Sequence, residues 1–254
     1  MFGLEIWQFW AAVAVTLVAG FVKGAVGFAM PMIMLSAFGS IMPATTALAA
    51  LILPTLLTNL QQAFRQGAGA AVGSAMNFRW HIAMVLVFIW VSAGFAQAIP
   101  QPVMYALLGV PIVGFALWQL SGRPLVLPVH HRRRAEIGTG IVGGLYGGIS
   151  GIWGPPLIVL LLSLGATKQE QVRVQGVVFL LGAVMLTAAH LNSGVLNSTT
   201  LPLSAILCAP AFAGMMTGFA LQDRLDVVQF RRWTQVALVL TGLNLVRRAF
   251  QFWI

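Results

Sequence analysis

The sequence predicts an all-α, polytopic membrane protein made of two inverted-topology repeats, each a broken-helix hairpin followed by three spanning helices. Three observations predict it. The 254-residue chain is 59% hydrophobic and only 7% charged, with a mean hydropathy of +0.91, whereas a soluble domain carries about 25% charged residues. The chain also repeats its own punctuation: Gly20, Gly24, Gly27 and Pro31 recur as Gly144, Gly148, Gly151 and Pro155, all at one offset of 124 residues. Finally, these Gly and Pro residues interrupt apolar segments at corresponding places in the two halves, the pattern that marks paired discontinuous membrane helices around a binding site.

A spanning helix needs about 20 predominantly apolar residues, and five segments per half satisfy or approach this. In the first half they are 7–23, 30–40, 44–64, 79–98 and 102–120; in the second, 136–149, 154–164, 169–191, 200–221 and 232–250. The second segment of each half is short and meets the first at the Gly/Pro motif, so each pair reads as a hairpin of broken or half-length helices. The division expected is a first transmembrane repeat over 1–120, a basic cytoplasmic connector over 121–135 and a second repeat over 136–254.

Charge sets the orientation. Arg65, Arg79, Arg123, Arg132, Arg133, Arg134, Lys168, Arg173, Arg224, Arg231 and Arg232, eleven of the 14 basic residues, fall in alternate connections. The connections near 40–43, 98–101 and 192–199 hold none. By the positive-inside rule the basic set is cytoplasmic and both termini lie outside, which for a bacterium is the periplasmic side of the inner membrane. Arg247 and Arg248 dissent. The N-terminal apolar run has Glu5 before it and no Lys or Arg, so it is expected to be a retained span and not a cleaved signal. An odd number of segments per half inverts the second copy, and inverted repeats bring two broken elements together near the bilayer midplane.

The net charge of +9 comes from scattered topology signals, not a nucleic-acid-binding patch, so no nucleic acid partner is expected. Cys208 is the only cysteine; a thiolate metal site is excluded, and no other metal-ligand cluster, cofactor loop or catalytic constellation is visible. The reading is a non-enzyme with no cofactor and no metal, embedded in the lipid bilayer and taking a small anionic substrate. Its small-residue faces, Gly140, Gly144 and Gly148 and again Gly143, Gly147 and Gly151, suit close helix packing, whether internal or against a second copy in a homodimer.

The residues with chemistry gather at the motifs. Lys23 stands opposite Gly147, and a charge inside a membrane segment is a functional hypothesis by default, against the plainer reading of a lysine snorkelling to the interface. The acidic residues Glu5, Glu136, Glu170, Asp223 and Asp226 all fall at helix ends or in loops. One buried lysine without a carboxylate favours an anion and disfavours cation or metal transport. The helices that begin at Pro31 and Pro155 are expected to point N–H groups at the breaks, and helix N-termini attract anions. Gly24, Gly27, Phe28 and Met30 complete the first candidate site; Gly148, Ser150, Gly151, Trp153 and Gly154 complete the second. Ser150 and Trp153 offer a hydroxyl and an indole N–H. Asn59 and Gln62 in the third segment, and Gln175 in its counterpart, are either site residues or interhelical hydrogen bonders. Arg173 is a gating candidate and His190 a proton-relay candidate, the latter because histidine titrates near neutral pH.

With the two motifs, the Pro43-Ala44-Thr45-Thr46-Ala47 stretch and the duplication, the chain resembles the sulfite exporter TauE/SafE family of membrane permeases over nearly its whole length. The resemblance implies secondary transport of sulfur-containing anions such as sulfite, sulfoacetate and other organosulfonates; the inverted repeats imply alternating access, and export is the direction expected. The resemblance also implies that Lys23 to Pro31 and Gly147 to Pro156 line the substrate site. Phe28, Ala29 and Met30 before the first Pro, and Ile152 and Trp153 in the second motif, depart from the family's Gly-rich pattern and point to an anion with an apolar carbon portion. An anion channel and a non-transporting membrane assembly subunit are the alternative readings.

Overall fold

The computed structural model describes residues 4–123, 125–221, 224 and 226–251; Asp223, one of the five acidic residues, lies outside them. The described residues form eleven α-helices and no strand: α1 Ile6–Val26, α2 Met30–Phe38, α3 Ala44–Phe64, α4 Ala68–Asn77, α5 Arg79–Ala93, α6 Gln101–Leu120, α7 Arg132–Ser150, α8 Gly154–Ser163, α9 Lys168–Asn192, α10 Leu201–Leu221 and α11 Val227–Gln251. α1, α3, α6, α9 and α10 are long and apolar enough to cross a membrane, and α4 and α5, bent by 82°, make up to one more. The chain is a multi-pass membrane protein. In lipid a backbone must satisfy its own hydrogen bonds, which is why helices carry every apolar run.

Two differences from the sequence reading stand out. The stretch between the third and fourth segments, expected as a connection, contains α4. Arg132, Arg133 and Arg134, expected in the connector, form the first turn of α7, and Glu136, near that helix end, is buried at 2% exposure.

The chain divides into two compact units, each drawing segments from both halves. One comprises Met1–Pro54, Gln97–Arg123 and Val195–Ile254. There α1 packs along α10 through glycines on both sides: a β-carbon at Gly24 would lie 2.9 Å from the Phe219 nitrogen, and one at Gly218 the same distance from that of Ala25. Small residues let helix backbones approach where lipid offers no hydrophobic drive to association. α6 packs on α11 in the same manner at Gly109 and Gly242. α11 also holds α2, with Thr241 Oγ1 donating to Ser36 Oγ at 2.9 Å and Asn244 Nδ2 to Ser40 Oγ at 2.6 Å. Arg248 donates to the Gly39 carbonyl. Pro54 inside α3 has no N–H for the Ala50 carbonyl; Ser204 of α10 takes that place at 3.3 Å and accepts from the Leu53 N–H at 3.1 Å.

The other unit comprises Thr55–Ala96 and Pro124–Gly194. Its seam runs between α5 and α7. A β-carbon at Gly140 would stand 2.7 Å from the His81 carbonyl oxygen, at Gly144 2.8 Å from that of Val85, and at Gly148 2.5 Å from that of Ile89. Ser92 Oγ crosses the seam to the Gly144 carbonyl at 3.2 Å. The last turns of α3 pack on α9, where a β-carbon at Gly176 would meet the Gln62 carbonyl oxygen at 3.0 Å.

Candidate functional site

Two breaks in the helical ladder carry the candidate residues, one in each unit. The first follows α1. Gly27 adopts φ 91°, a left-handed conformation that costs an L-residue about 1–2 kcal/mol, and its N–H closes the helix on the Lys23 carbonyl at 2.7 Å. Two residues on, Ala29 is also left-handed at φ 78°. α2 then begins at Met30-Pro31 with no side-chain cap. Lys23, Phe28, Ala29 and Met30 are all buried, Lys23 at 2% exposure, and Pro31 is half-buried. Lys23 continues a buried stripe of Ala12, Thr16 and Ala19, one to two turns apart along α1. Its neighbour Gly24 belongs instead to the α10 seam, so these adjacent candidates serve different faces of one helix.

Ala29 is a β-carbon where a glycine would be relaxed. Ala29→Gly is expected to raise stability by about 0.5–1 kcal/mol, the left-handed cost less the extra unfolded-state entropy of glycine. Thermal unfolding in detergent measures it.

The second break repeats the first at the same offset of 124. Gly151, at φ 72°, closes α7 on the Gly147 carbonyl at 2.7 Å, and α8 begins at Gly154-Pro155, again with no side-chain cap. Ser150 Oγ donates to the Tyr146 carbonyl at 2.6 Å and accepts from the Ile152 N–H at 3.0 Å. The hydroxyl is thereby part of the break's scaffold. Since Ile152 N–H turns to Ser150, the Gly148 carbonyl loses the helical donor four residues on, one of the orphans every helix end leaves. His190 of α9 supplies the donor: its Nε2 lies 2.8 Å from that carbonyl, and Nδ1 lies 3.2 Å from Ser193 Oγ. A carbonyl only accepts, so the proton sits on Nε2 and Nδ1 accepts from Ser193. Both nitrogens of this fully buried ring are engaged in tying α9 to the end of α7. His190→Phe is expected to destabilise the protein by about 1–3 kcal/mol, the cost of a buried acceptor left without a donor. Denaturant or thermal unfolding checks it.

Trp153 fills the space beside the break. It is 2% exposed; its ring lies against Gly147 and Gly182, where β-carbons would come within 3.1 Å and 2.6 Å of it. It packs edge-on to Phe179 at 6.4 Å between centroids and 82° between planes. The indole Nε1 has no hydrogen-bond partner among the described residues. Burying a polar group unpaired is costly, so an inward-held donor beside a helix N-terminus is a place for an acceptor. Asn59 joins this group through the backbone: its Nδ2 donates to the Phe179 carbonyl at 3.0 Å.

Lys23, Gly24, Gly27, Phe28, Met30 and Pro31 thus share the first break. Gly148, Ser150, Gly151, Trp153, Gly154 and Pro155 share the second, with Asn59 and His190 bonded to its surroundings. Gln175 is buried on α9 one turn before Phe179, and Arg173 turns toward α4, donating from Nε to Ser74 Oγ at 3.0 Å. Sequence reasoning passed over Phe179 and Gly182, which seat Trp153. The one available signal was Gly182, a helix-weakening glycine inside an apolar run. No group of three or more metal-ligating side chains occurs among the described residues.

No curated protein and no solved structure matches the chain. The sequence profile of the sulfite exporter TauE/SafE family does, over residues 12–245, a span that includes both breaks and all eleven helices in whole or in part. Two glycine–proline breaks at one offset, set in a multi-pass helical chain that this profile covers almost entirely, place the protein in the sulfite exporter TauE/SafE family of membrane transporters.

Proposed function

We propose that the protein is a secondary transporter that exports a small sulfur-containing oxyanion, sulfite or an organosulfonate, from a bacterial cell across the inner membrane. The observation that carries this reading is Lys23, a lysine 2% exposed at the broken end of an apolar helix. A charge there favours an anionic cargo. At the first break Lys23 would neutralise the anion and the α2 N-terminus would hydrogen-bond its oxygens; at the second, the α8 N-terminus and the Trp153 indole N–H would bond them. Phe28 and Met30 at the first break, and Trp153 at the second, would each give the cargo's carbon portion an apolar surface. The two breaks belong to inverted repeats that alternate access by rocking, with both termini periplasmic. A negative-inside potential expels an anion without any coupling ion, worth about 2.3 kcal/mol per charge per 100 mV.

The test is a panel of sulfite, thiosulfate, sulfoacetate, taurine, sulfate and short carboxylates, read first as melting temperature of the purified protein and then as counterflow in proteoliposomes. Stabilisation by one anion class with saturable counterflow of the same class supports the reading. Conductance without counterflow makes the protein a channel. No stabilisation by any anion sinks the assignment.

A further inference from the structure

The first turn of α7 places Arg132, Arg133 and Arg134 at the positive end of the helix dipole, where cations are disfavoured and anions gain. Two of these guanidinium groups are held over aromatic rings from the α4–α5 bend: Arg133 lies 4.0 Å from the Trp80 ring and Arg132 5.0 Å from that of Phe78. Arg79 approaches the same Trp80 ring at 5.8 Å. Arg79, Arg132 and Arg133 line a cavity of about 300 Å³, closed by Trp80, Met76, Asn77 and a single carboxylate, Glu136. Three cations against one anion make the cavity a strong anion site.

Glu136 adds a second demand. Its side chain is 3% exposed; Oε1 accepts from Arg132 Nε at 2.8 Å, while Oε2 has no hydrogen-bond partner among the described residues. A buried acceptor left open costs stability until a donor reaches it. The cavity therefore fits a ligand with an anion at one end and a hydrogen-bond donor a short carbon chain away. Inorganic phosphate carries its P–OH donor on the phosphorus itself with no carbon spacer, and a phosphocholine group has no donor for the second need.

The cavity also opens beside apolar surface. Val72 and Met76, one turn apart on α4, are 63% and 58% exposed, and Met76 belongs to both the cavity wall and this stripe. We propose that this cavity binds the headgroup of a glycerophospholipid whose phosphate bears a donor, ethanolamine or glycerol, with an acyl chain laid along Val72 and Met76. The guanidiniums of Arg79, Arg132 and Arg133 hold the phosphate, and Glu136 Oε2 accepts from the ammonium or hydroxyl. Basic pockets between membrane helices are suited to such headgroups. The proposal rests on the membrane-spanning helices and is independent of the transported anion.

The test delipidates the full chain, then measures retention of phosphatidylethanolamine, phosphatidylglycerol and phosphatidylcholine of identical acyl chains by native mass spectrometry. The expected result is retention of a donor-bearing lipid about tenfold above phosphatidylcholine, the step given by one charge-assisted hydrogen bond. Arg133→Gln should lower that retention about tenfold, and Glu136→Gln should narrow the gap between ethanolamine and choline lipids. Soluble phosphoethanolamine should bind far more weakly than the lipid. Equal retention of all three lipids, or retention indifferent to Arg133→Gln, overturns the proposal. Equal affinity for soluble phosphoethanolamine and the lipid would make the ligand a free phosphate compound and overturn it as well.

Discussion

Exchange of Lys23 for methionine is expected to abolish anion-dependent stabilisation while leaving the ligand-free protein as stable as wild type, or more so. Lys23 is buried in the last turn of α1, where a hydrophobic side chain of similar length fits the same stripe as Ala12, Thr16 and Ala19. Replacing a buried ionic group by a well-packed apolar one is often neutral or stabilising. The loss is therefore specific to the ligand. A ligand at a hundredfold excess over its Kd stabilises the native state by about 2.7 kcal/mol, and in Lys23→Met that increment should vanish for every anion on the panel. A Trp153→Phe variant keeps the ring and removes the indole donor, so it tests the second break by the same readout. If Lys23→Met keeps the full anion response, the lysine is a structural cation and the cargo does not meet it.

Gly24→Ala and Gly148→Ala are each expected to destabilise the protein by about 1–3 kcal/mol, the usual cost of overpacking a tight contact. At Gly24 the added methyl would meet the Met215 carbonyl oxygen and the Phe219 nitrogen; at Gly148 it would meet Ser92 Oγ and the Ile89 carbonyl oxygen. These neighbours are mostly helix backbone and cannot move aside singly, so α1 must separate from α10, or α7 from α5. The controls are helical glycines in open space: a β-carbon at Gly138 of α7 or Gly114 of α6 meets nothing within 4 Å, and alanine there should cost nothing. Thermal unfolding of the four variants separates the cases. Equal effects at all four positions would mean that helix propensity, not close packing, sets the role of these glycines.

Much of the architecture was legible in the amino-acid order because hydropathy and helix breaking are local properties. The segment expected over 44–64 is α3, Ala44–Phe64, and that over 102–120 is α6, Gln101–Leu120. The two Gly/Pro motifs are breaks of the same backbone form, each with a left-handed glycine closing the preceding helix. α4 escaped because its Ala- and Gly-rich ten residues lack an apolar run long enough to span; its packing on α9, where Arg173 bonds Ser74, gives that stretch a place as a helix. The roles of Ser150 and His190 escaped as well. Which oxygen a hydroxyl or imidazole reaches depends on neighbours across a helix pair, not along the chain.

The sequence by itself determined that this chain is helical, membrane-embedded and broken at Gly27 and Gly151, with the same Gly and Pro punctuation at one offset. Only the tertiary structure decided that α1 finds α10 and α7 finds α5, each a helix that ends at a break packed against a helix far away in the chain. Lipid tails are as apolar as the side chains that face them, so hydrophobicity marks a span without naming its partner. The partner is chosen by shape and by hydrogen bonds, and those exist only once Gly24 meets Met215, Gly148 meets Ile89 and Ser204 reaches the carbonyl that Pro54 leaves open.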